Sequence, residues 1–522
     1  MSQTDQQITN IVEKVLGEYN QAPKKTPDPR TVPRACWQKA PVVEKPLVDD
    51  AMISKAVAQI LGSGENTYSP QPAPVIDNDA YVASGDGIFE SMDQAVEASV
   101  VAQRQYLLCS MEDRERFVNG IREVFLEPGT LDLISRMSVD ETGMGRYDHK
   151  AIKLRLAAEK TPGTEDLRTE ALSGDGGLTL EELSPYGVIG AISPTTNPVE
   201  TLICNSIGML AAGNSVVFSP HPRATKVSHL SIKLINEKLA HLGAPANLVV
   251  TVAKPSIENT KAMMSHPKVR MLVATGGPSI VKTVMSSGKK AIGAGAGNPP
   301  VVVDETANIE KAAIDIINGC SFDNNLPCIA EKEIIAVDEI ADFLIFNMKK
   351  NGAYLVTDQT VIEKLQELVL KEKGGPKTEF VGKSAAYILE KVGIKVDDSV
   401  RVILMETPKD HPFVVEELMM PILPLVRVAN VDDAIDLAIE VEHGNRHTAM
   451  MHSTNVLKLT KFAKLIQTTI FVKNGPSYAG IGAGGEGCTT FTIAGPTGEG
   501  LTTAKSFARR RRCCMVESLN IR

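Results

Sequence analysis

Apolar residues first recur at helical spacing near the start of the chain. Ile8, Ile11, Val12, Val15, Leu16 and Tyr19 fall at i, i+3, i+4, i+7, i+8 and i+11, a single stripe along one face. Asp5, Gln6, Glu13, Lys14 and Glu18 take the other faces, which predicts an amphipathic helix over about 6–19. A second stripe, Ile53, Val57, Ile60 and Leu61, predicts a helix over about 49–61, capped by Asp49 or Asp50 and ended by Gly62. Pro23, Pro27, Pro29, Pro33, Pro41 and Pro46 lie between them, and Pro70, Pro72 and Pro74 follow, so both intervening stretches read as extended linkers. Residues 1–80 thus form an N-terminal extension. A short tethered helix cannot bury its stripe alone, and should dock in a groove of its own body or of another protein.

From about Gly85 the pattern changes to alternating strands and helices. Met92–Ala102 and Arg114–Phe125 have helical spacing. Gly187–Ile192, Ser215–Phe218, Leu248–Val252 and Val269–Ala274 are short apolar runs that read as buried strands, separated by helices at Pro198–Ala212, Thr225–Leu242 and Ile257–Met264 and followed by one at Ser279–Ser286. A second set follows at Pro300–Val303, Ile309–Cys320 and Ile334–Val337, continuing to about Ile470. This succession predicts an α/β fold of parallel sheets covered by helices. Leu178–Leu183 and the tail after Ala494 read as extended arms.

Composition narrows the classes. A chain of 522 residues exceeds one ordinary core, so two or three domains are expected. Its eight cysteines form no CxxC pair, which argues against a zinc site or a disulfide scaffold and for a reducing, cytoplasmic setting. A net charge of −8 argues against a general nucleic-acid binder, and no apolar run approaches a membrane span. The basic run Arg509–Arg512 reads as a solvated or subunit-facing strand.

Several motifs offer chemistry. Cys328 follows Leu326 and Pro327, which suggest a chain reversal and a helix start; a thiol there would gain from the positive end of the helix dipole. Ser193-Pro194-Thr195-Thr196-Asn197-Pro198 lies between a buried strand and a helix, where α/β folds bind ligands. Asn197 can cap that helix or project its amide toward an oxyanion formed at Cys328. Thr275-Gly276-Gly277-Pro278 sits at a βα turn, whose N–H groups suit either a plain turn or a phosphate. Gly482-Ala483-Gly484-Gly485-Glu486-Gly487 matches GxGxxG but neither follows a strand nor opens a helix, so it is discounted. Gly382-Lys383-Ser384 is an incomplete P-loop, with Lys377 where glycine is needed, and His443, His447 and His452 read as a polar loop rather than a metal site.

Together with Phe218-Ser219-Pro220-His221-Pro222-Arg223-Ala224, Pro327-Cys328-Ile329-Ala330-Glu331, Glu416-Glu417-Leu418-Met419-Met420-Pro421 and Gly495-Pro496-Thr497-Gly498-Glu499-Gly500, these motifs resemble, in this order, the aldehyde dehydrogenase superfamily. The likeness is greater to its coenzyme-A-acylating branch. It implies two Rossmann-like parallel-sheet domains and an oligomerisation arm: an NAD- and coenzyme-A-binding domain over 85–292 with the arm near 165–184, a catalytic domain over 293–485, and a returning segment over 486–522. It further implies Cys328 as nucleophile and Asn197 as oxyanion donor. Ser193, Pro194 and Thr195 join the cofactor site, with Phe218, Ser219 and Pro220 at the adenosine end, Gly276 and Gly277 by the phosphates, and Glu417 by the nicotinamide ribose. NAD is the implied cofactor, with NADP left open because His221-Pro222-Arg223 replaces the family's usual lysine for the adenosine ribose; coenzyme A is the co-substrate, and a homodimer or homotetramer the assembly.

One departure from the family pattern concerns the reaction. Hydrolytic members carry a general-base glutamate before the second domain, whereas Ala291–Pro300 holds no carboxylate. Without that base, water attack on a thioester loses about 10²–10⁴-fold, and a thiol acceptor needs less help. The resemblance thus implies oxidation of propionaldehyde, or next acetaldehyde, to an acyl-CoA. A hydrolytic dehydrogenase and an inactive scaffold are the competing readings. Acylating aldehyde dehydrogenases of bacterial microcompartments resemble the N-terminal arrangement, which implies encapsulation through one of the two helices docking on a shell or core protein.

Overall fold

A computed structural model describes residues 86–521. The helices expected near 6–19 and 49–61, and both proline-rich linkers, lie outside the described residues. The first helix, Met92–Tyr106, opens on a capping box in which the Ser91 hydroxyl and the Gln94 side chain serve each other's backbone N–H. It buries Met92, Ala95 and Val96 against a six-stranded sheet, while Tyr106 packs on Phe117 and donates to the Leu210 carbonyl.

That sheet is parallel throughout. Its spatial order is Ile88–Phe89, Val249–Val252, Ser215–Ser219, Val188–Ile192, Val269–Thr275 and Lys290–Ala294. Valine- and isoleucine-rich runs suit strands covered on both faces. From Val188–Ile192 the chain winds outward in one direction and then returns to add Val269–Thr275 on the other side. The loops after these two neighbouring strands therefore diverge and leave a crevice at their carboxyl ends. Beneath lies the helix Pro198–Ala211, all fourteen residues of which are buried.

Two helices escape the apolar pattern. Pro128–Thr142 starts with proline in its first turn, under a Glu127 cap, and stops at left-handed Gly143. Tyr147–Lys160 buries Lys150 and Lys153 beside Leu154 and Ala157, which breaks the polar-out rule.

A seven-stranded parallel sheet follows in the order Ala353–Leu355, Val402–Glu406, Ile422–Val428, Glu333–Val337, Pro300–Val303, Thr448–His452 and Ile470–Lys473. A separate antiparallel arm pairs Glu170–Gly174 and Ala508–Val516 with the two edges of Gly177–Pro185. The expected tail strand is thus present. Arg512 stands opposite Glu181 and bonds it through Nε at 2.9 Å, while Arg510 reaches Glu170 at 3.5 Å.

Three expectations are corrected. Cys328 does not begin a helix: Pro327–Ala330 closes a turn by an Ala330 N–H to Pro327 C=O bond of 3.0 Å, and the apolar run behind it is the strand Glu333–Val337. Strand partners on both sides, Ile422–Val428 and Pro300–Val303, override the helix-start signal of Pro327. His447 and His452 are not a polar loop but are buried at the two ends of Thr448–His452, because that strand is interior; only His443 is exposed. Asn197 occupies the cap position of Pro198–Ala211 but makes no side-chain cap bond, because its amide is engaged elsewhere.

Candidate active site

The crevice at the strand ends is a cavity of about 370 Å³, a volume typical of ligand sites. Ser193, Pro194, Thr195 and Asn197 line it from one loop, Gly276 and Gly277 from the next. Cys328, Glu417, His221 and Phe491 complete the wall. Eight of the eleven residues singled out from the sequence therefore converge on one cavity. Phe218, Ser219 and Pro220 do not: all three are buried, and the Ser219 hydroxyl is hydrogen bonded to Thr260 at 2.7 Å. His221, one residue further on, takes that wall of the cavity.

Three residues in left-handed conformation precede the Cys328 turn: Asp323 (φ 50°), Asn324 (φ 54°) and Asn325 (φ 65°). Such a run costs on the order of 1–2 kcal/mol per residue and persists only where side chains secure it. Asp323 accepts the Arg146 N–H at 2.8 Å. Asn324 donates to the Gly382 carbonyl at 2.9 Å. Asn325 donates to the carbonyls of Cys320 and Glu331, each at 2.9 Å. The turn bearing Cys328 is thereby held from both sides.

The Asn197 side is built as firmly. Asn197 Oδ1 accepts from Lys153 Nζ at 2.5 Å, and its Nδ2 donates to Thr196 Oγ1 at 3.3 Å. Lys153 also meets Asp323 at 2.5 Å and Glu200 at 3.0 Å, while Lys150 meets Asp323 at 3.0 Å and donates to the Thr196 carbonyl at 2.7 Å. Burial pulls Lys153 down, yet Asp323 and Glu200 outweigh it and hold the ammonium up at about 12. These four charged groups carry no recognisable motif in the sequence. Only the i, i+3 spacing of Lys150 and Lys153 hints that both leave one face of a helix.

Burial pushes the Cys328 thiol up to about 12, and nearby Glu417 adds to that rise, against opposing pulls from Lys332 and Lys153. The expected depression by a helix end is absent because no helix starts there. Burial also raises Glu417, which Lys332 and the Gly297 N–H, 3.2 Å from Oε1, partly offset.

The linker between the sheets presses against Cys328. A Cβ added at Gly297 would come 2.8 Å from both the Cys328 carbonyl oxygen and His447 Cγ. Position 297 thus has no room for a side chain, and Gly295 and Ala296 line the cavity without a carboxylate. His447 is buried and neutral, its pKa pushed down to about 4 by burial and then by Lys332. Its Nδ1 is 2.9 Å from Thr448 Oγ1 and its Nε2 has no hydrogen-bond partner among the described residues.

The cavity also suits a dinucleotide. Gly277, at the start of the helix Pro278–Met285, has open space where a Cβ would stand, and Glu417 presents a carboxylate to the same cavity. Gly276 contributes by its small size alone, since its N–H is spent on the Ala294 carbonyl at 3.0 Å.

The aldehyde dehydrogenase family model matches residues 71–366, more than half of the chain. The chain belongs to the aldehyde dehydrogenase family. Among members with assigned activities, it is 51% identical to the CoA-propanoylating propanal dehydrogenase of Salmonella typhimurium over 439 residues, 84% of this chain and 94% of that one. A propionaldehyde dehydrogenase of Rhodopseudomonas palustris, solved with bound CoA and an acylated cysteine, is 76% identical. It superposes with a TM-score of 0.83 over 84% of this chain and all of the other. A propionaldehyde dehydrogenase from the fucose utilisation microcompartment of Clostridium phytofermentans is 54% identical, with a TM-score of 0.82 over the same shares. The aldehyde dehydrogenase fold thus places two parallel sheets around one cysteine-bearing cavity, with the arm as a separate sheet. The discounted Gly482–Gly487 stretch is a loop in it, two of whose carbonyls, Gly482 and Gly485, accept from Lys160.

Proposed function

We propose that this aldehyde dehydrogenase is a coenzyme-A-acylating enzyme that converts a short aldehyde, propionaldehyde foremost, to its acyl-CoA. The observation that carries the reading is the closed linker: Gly297 abuts Cys328 and His447, and no linker side chain offers a base for water. The activities and contents of its relatives support the same acceptor.

Cys328 ionises and its thiolate adds to the aldehyde carbon. Asn197 Nδ2 and the Cys328 N–H stabilise the oxyanion that develops on the thiohemiacetal. When bound, NAD⁺ supplies the hydride acceptor for the oxidation that leaves an acyl thioester on Cys328. Ser193, Pro194, Thr195, Gly276, Gly277 and Glu417 line the surface that receives it. Coenzyme A, as thiolate, then attacks the thioester carbon; the C–S bond to Cys328 breaks and the cysteine thiolate returns. The proton of the coenzyme A thiol leaves to solvent as that thiolate forms.

Residues 85–292 serve as the cofactor domain, 293–485 as the catalytic domain, and 486–522 as the segment returning to the first sheet and the arm. The arm, with all of Arg509–Val516 exposed, is an oligomer surface for a homodimer or homotetramer. One of the two N-terminal stripes directs the enzyme into a bacterial microcompartment by docking on a shell or core protein.

The deciding test measures NADH formed from propionaldehyde with and without coenzyme A. Sustained turnover requires coenzyme A and yields propionyl-CoA. Sustained release of free propionate without it would replace this reading by the hydrolytic one.

A further inference from the structure

Next to Asn197, and not themselves lining the cavity, four ionisable groups are sealed together. Lys150 and Lys153 come from one helix, Glu200 from the helix that Asn197 precedes, and Asp323 from the left-handed run before Cys328. Their side chains are at most 1% exposed, and their formal charges sum to zero. Lys150 joins Asp323 to the Thr196 backbone, but of the four only Lys153 joins it to the Asn197 side chain, bonding Asn197 Oδ1 and Asp323 Oδ2 at 2.5 Å each. Its ammonium also lies 5.9 Å from the centre of the Phe491 ring, which lines the cavity.

The chemistry of the contact settles which way the amide points. An ammonium has only donors, so it can be met only by the amide oxygen. With Oδ1 so held, Nδ2 must turn the other way. Were that contact absent, the two ends of the amide would be free to exchange places, and the site could present an acceptor to an oxyanion. The Asp323 contact does a second job, because Asp323 stands five residues before Cys328 in a strained segment that side-chain contacts secure.

We propose that Lys153 is a positioning residue that aims the Asn197 amide into the cavity and ties it to the loop carrying Cys328. The role rests on the reading of Asn197 and Cys328 as oxyanion donor and nucleophile. Lys153 acts through both and touches no reacting atom. Glu200 and Lys150 complete the charge balance that lets a lysine ammonium stay buried.

Lys153→Met leaves an unbalanced buried charge and risks misfolding, so the charge-balanced Lys153→Met/Glu200→Gln pair is the principal variant. Its kcat with propionaldehyde is expected to fall about 10²–10³-fold, as for loss of an oxyanion donor, with KM changed less than about threefold. Adding Asn197→Ala to this pair should cost less than about threefold more, because one function is removed twice. Alkylation of Cys328 by iodoacetamide without nucleotide should slow in the Lys153 variants but hold in Asn197→Ala. Wild-type kcat in the folded balanced variant, losses that multiply with Asn197→Ala, or unchanged alkylation would each overturn the proposal. Should that pair not fold, Lys153→Arg decides: a kcat loss of about tenfold or more at an unchanged melting temperature is expected, and wild-type kcat overturns. Cys328→Ala is the control, since turnover surviving there would overturn the site reading itself and not the role of Lys153.

Discussion

Cys328 is a thiol that its surroundings hold protonated. Burial raises it to about 12, so the reactive thiolate is scarce near neutrality in the free site. Its alkylation by iodoacetamide should therefore climb steadily with pH and show no plateau below about pH 9, since an unperturbed thiol would level off above about 8.5. A plateau near pH 7 would show that a local charge outweighs burial. Cys328→Ala is expected to abolish turnover. Asn197→Ala should lower kcat by about 10²–10³-fold while leaving KM nearly unchanged, because the amide acts on the oxyanion and not on the bound aldehyde. Gly297→Ala belongs with these. Its methyl would sit 2.8 Å from a backbone oxygen that cannot swing aside, so the turn must shift and kcat should fall by tenfold or more.

Elements meet the site through loops that other elements brace. Glu331 anchors the short helical stretch Ser477–Ile481, accepting the Ser477 N–H and hydroxyl at 2.8 Å each. Burial raises its carboxyl to about 7. A pKa above the unfolded value means the native state holds the extra proton, so stability is greatest below about pH 4 for this group and declines as pH rises through about 7. Melting temperatures between pH 5 and 8 should show that decline, and Glu331→Gln should flatten it; an unchanged slope would assign the dependence to another group. The helix Pro198–Ala211 is the other brace. It is buried throughout, so Ile207→Ala should cost on the order of 2–5 kcal/mol, measured by denaturant unfolding, without altering the chemistry of the cavity.

Across the whole molecule, the two sheets bring Asn197 and Cys328 to one crevice, and the arm is a separate sheet. Deleting residues 508–522 removes one edge of the arm, and the proposed oligomer is expected to dissociate, read as a fall in mass by light scattering. The order of strands and helices was legible in the chain because strands buried on both faces are continuous runs of valine and isoleucine, as in Val188–Ile192 and Val249–Val252. Helices with an apolar stripe, such as Ile309–Ser321, were equally plain. Cys328, Asn197, Gly276, Gly277 and Glu417 were nameable from motifs, because each is fixed by its local neighbours. Tertiary structure alone decided what surrounds them. It made Cys328 a turn and not a helix end, because a flanking strand on either side claims the residues that follow. It withdrew Phe218, Ser219 and Pro220 from the cavity, because the strand end that carries them is buried. It brought Lys150, Lys153, Glu200 and Asp323 together over separations of up to 173 residues, a pairing of opposite charges that no local pattern records. The helix Tyr147–Lys160 eluded the apolar pattern for the same reason: its inward face carries lysines whose partners come from elsewhere in the fold.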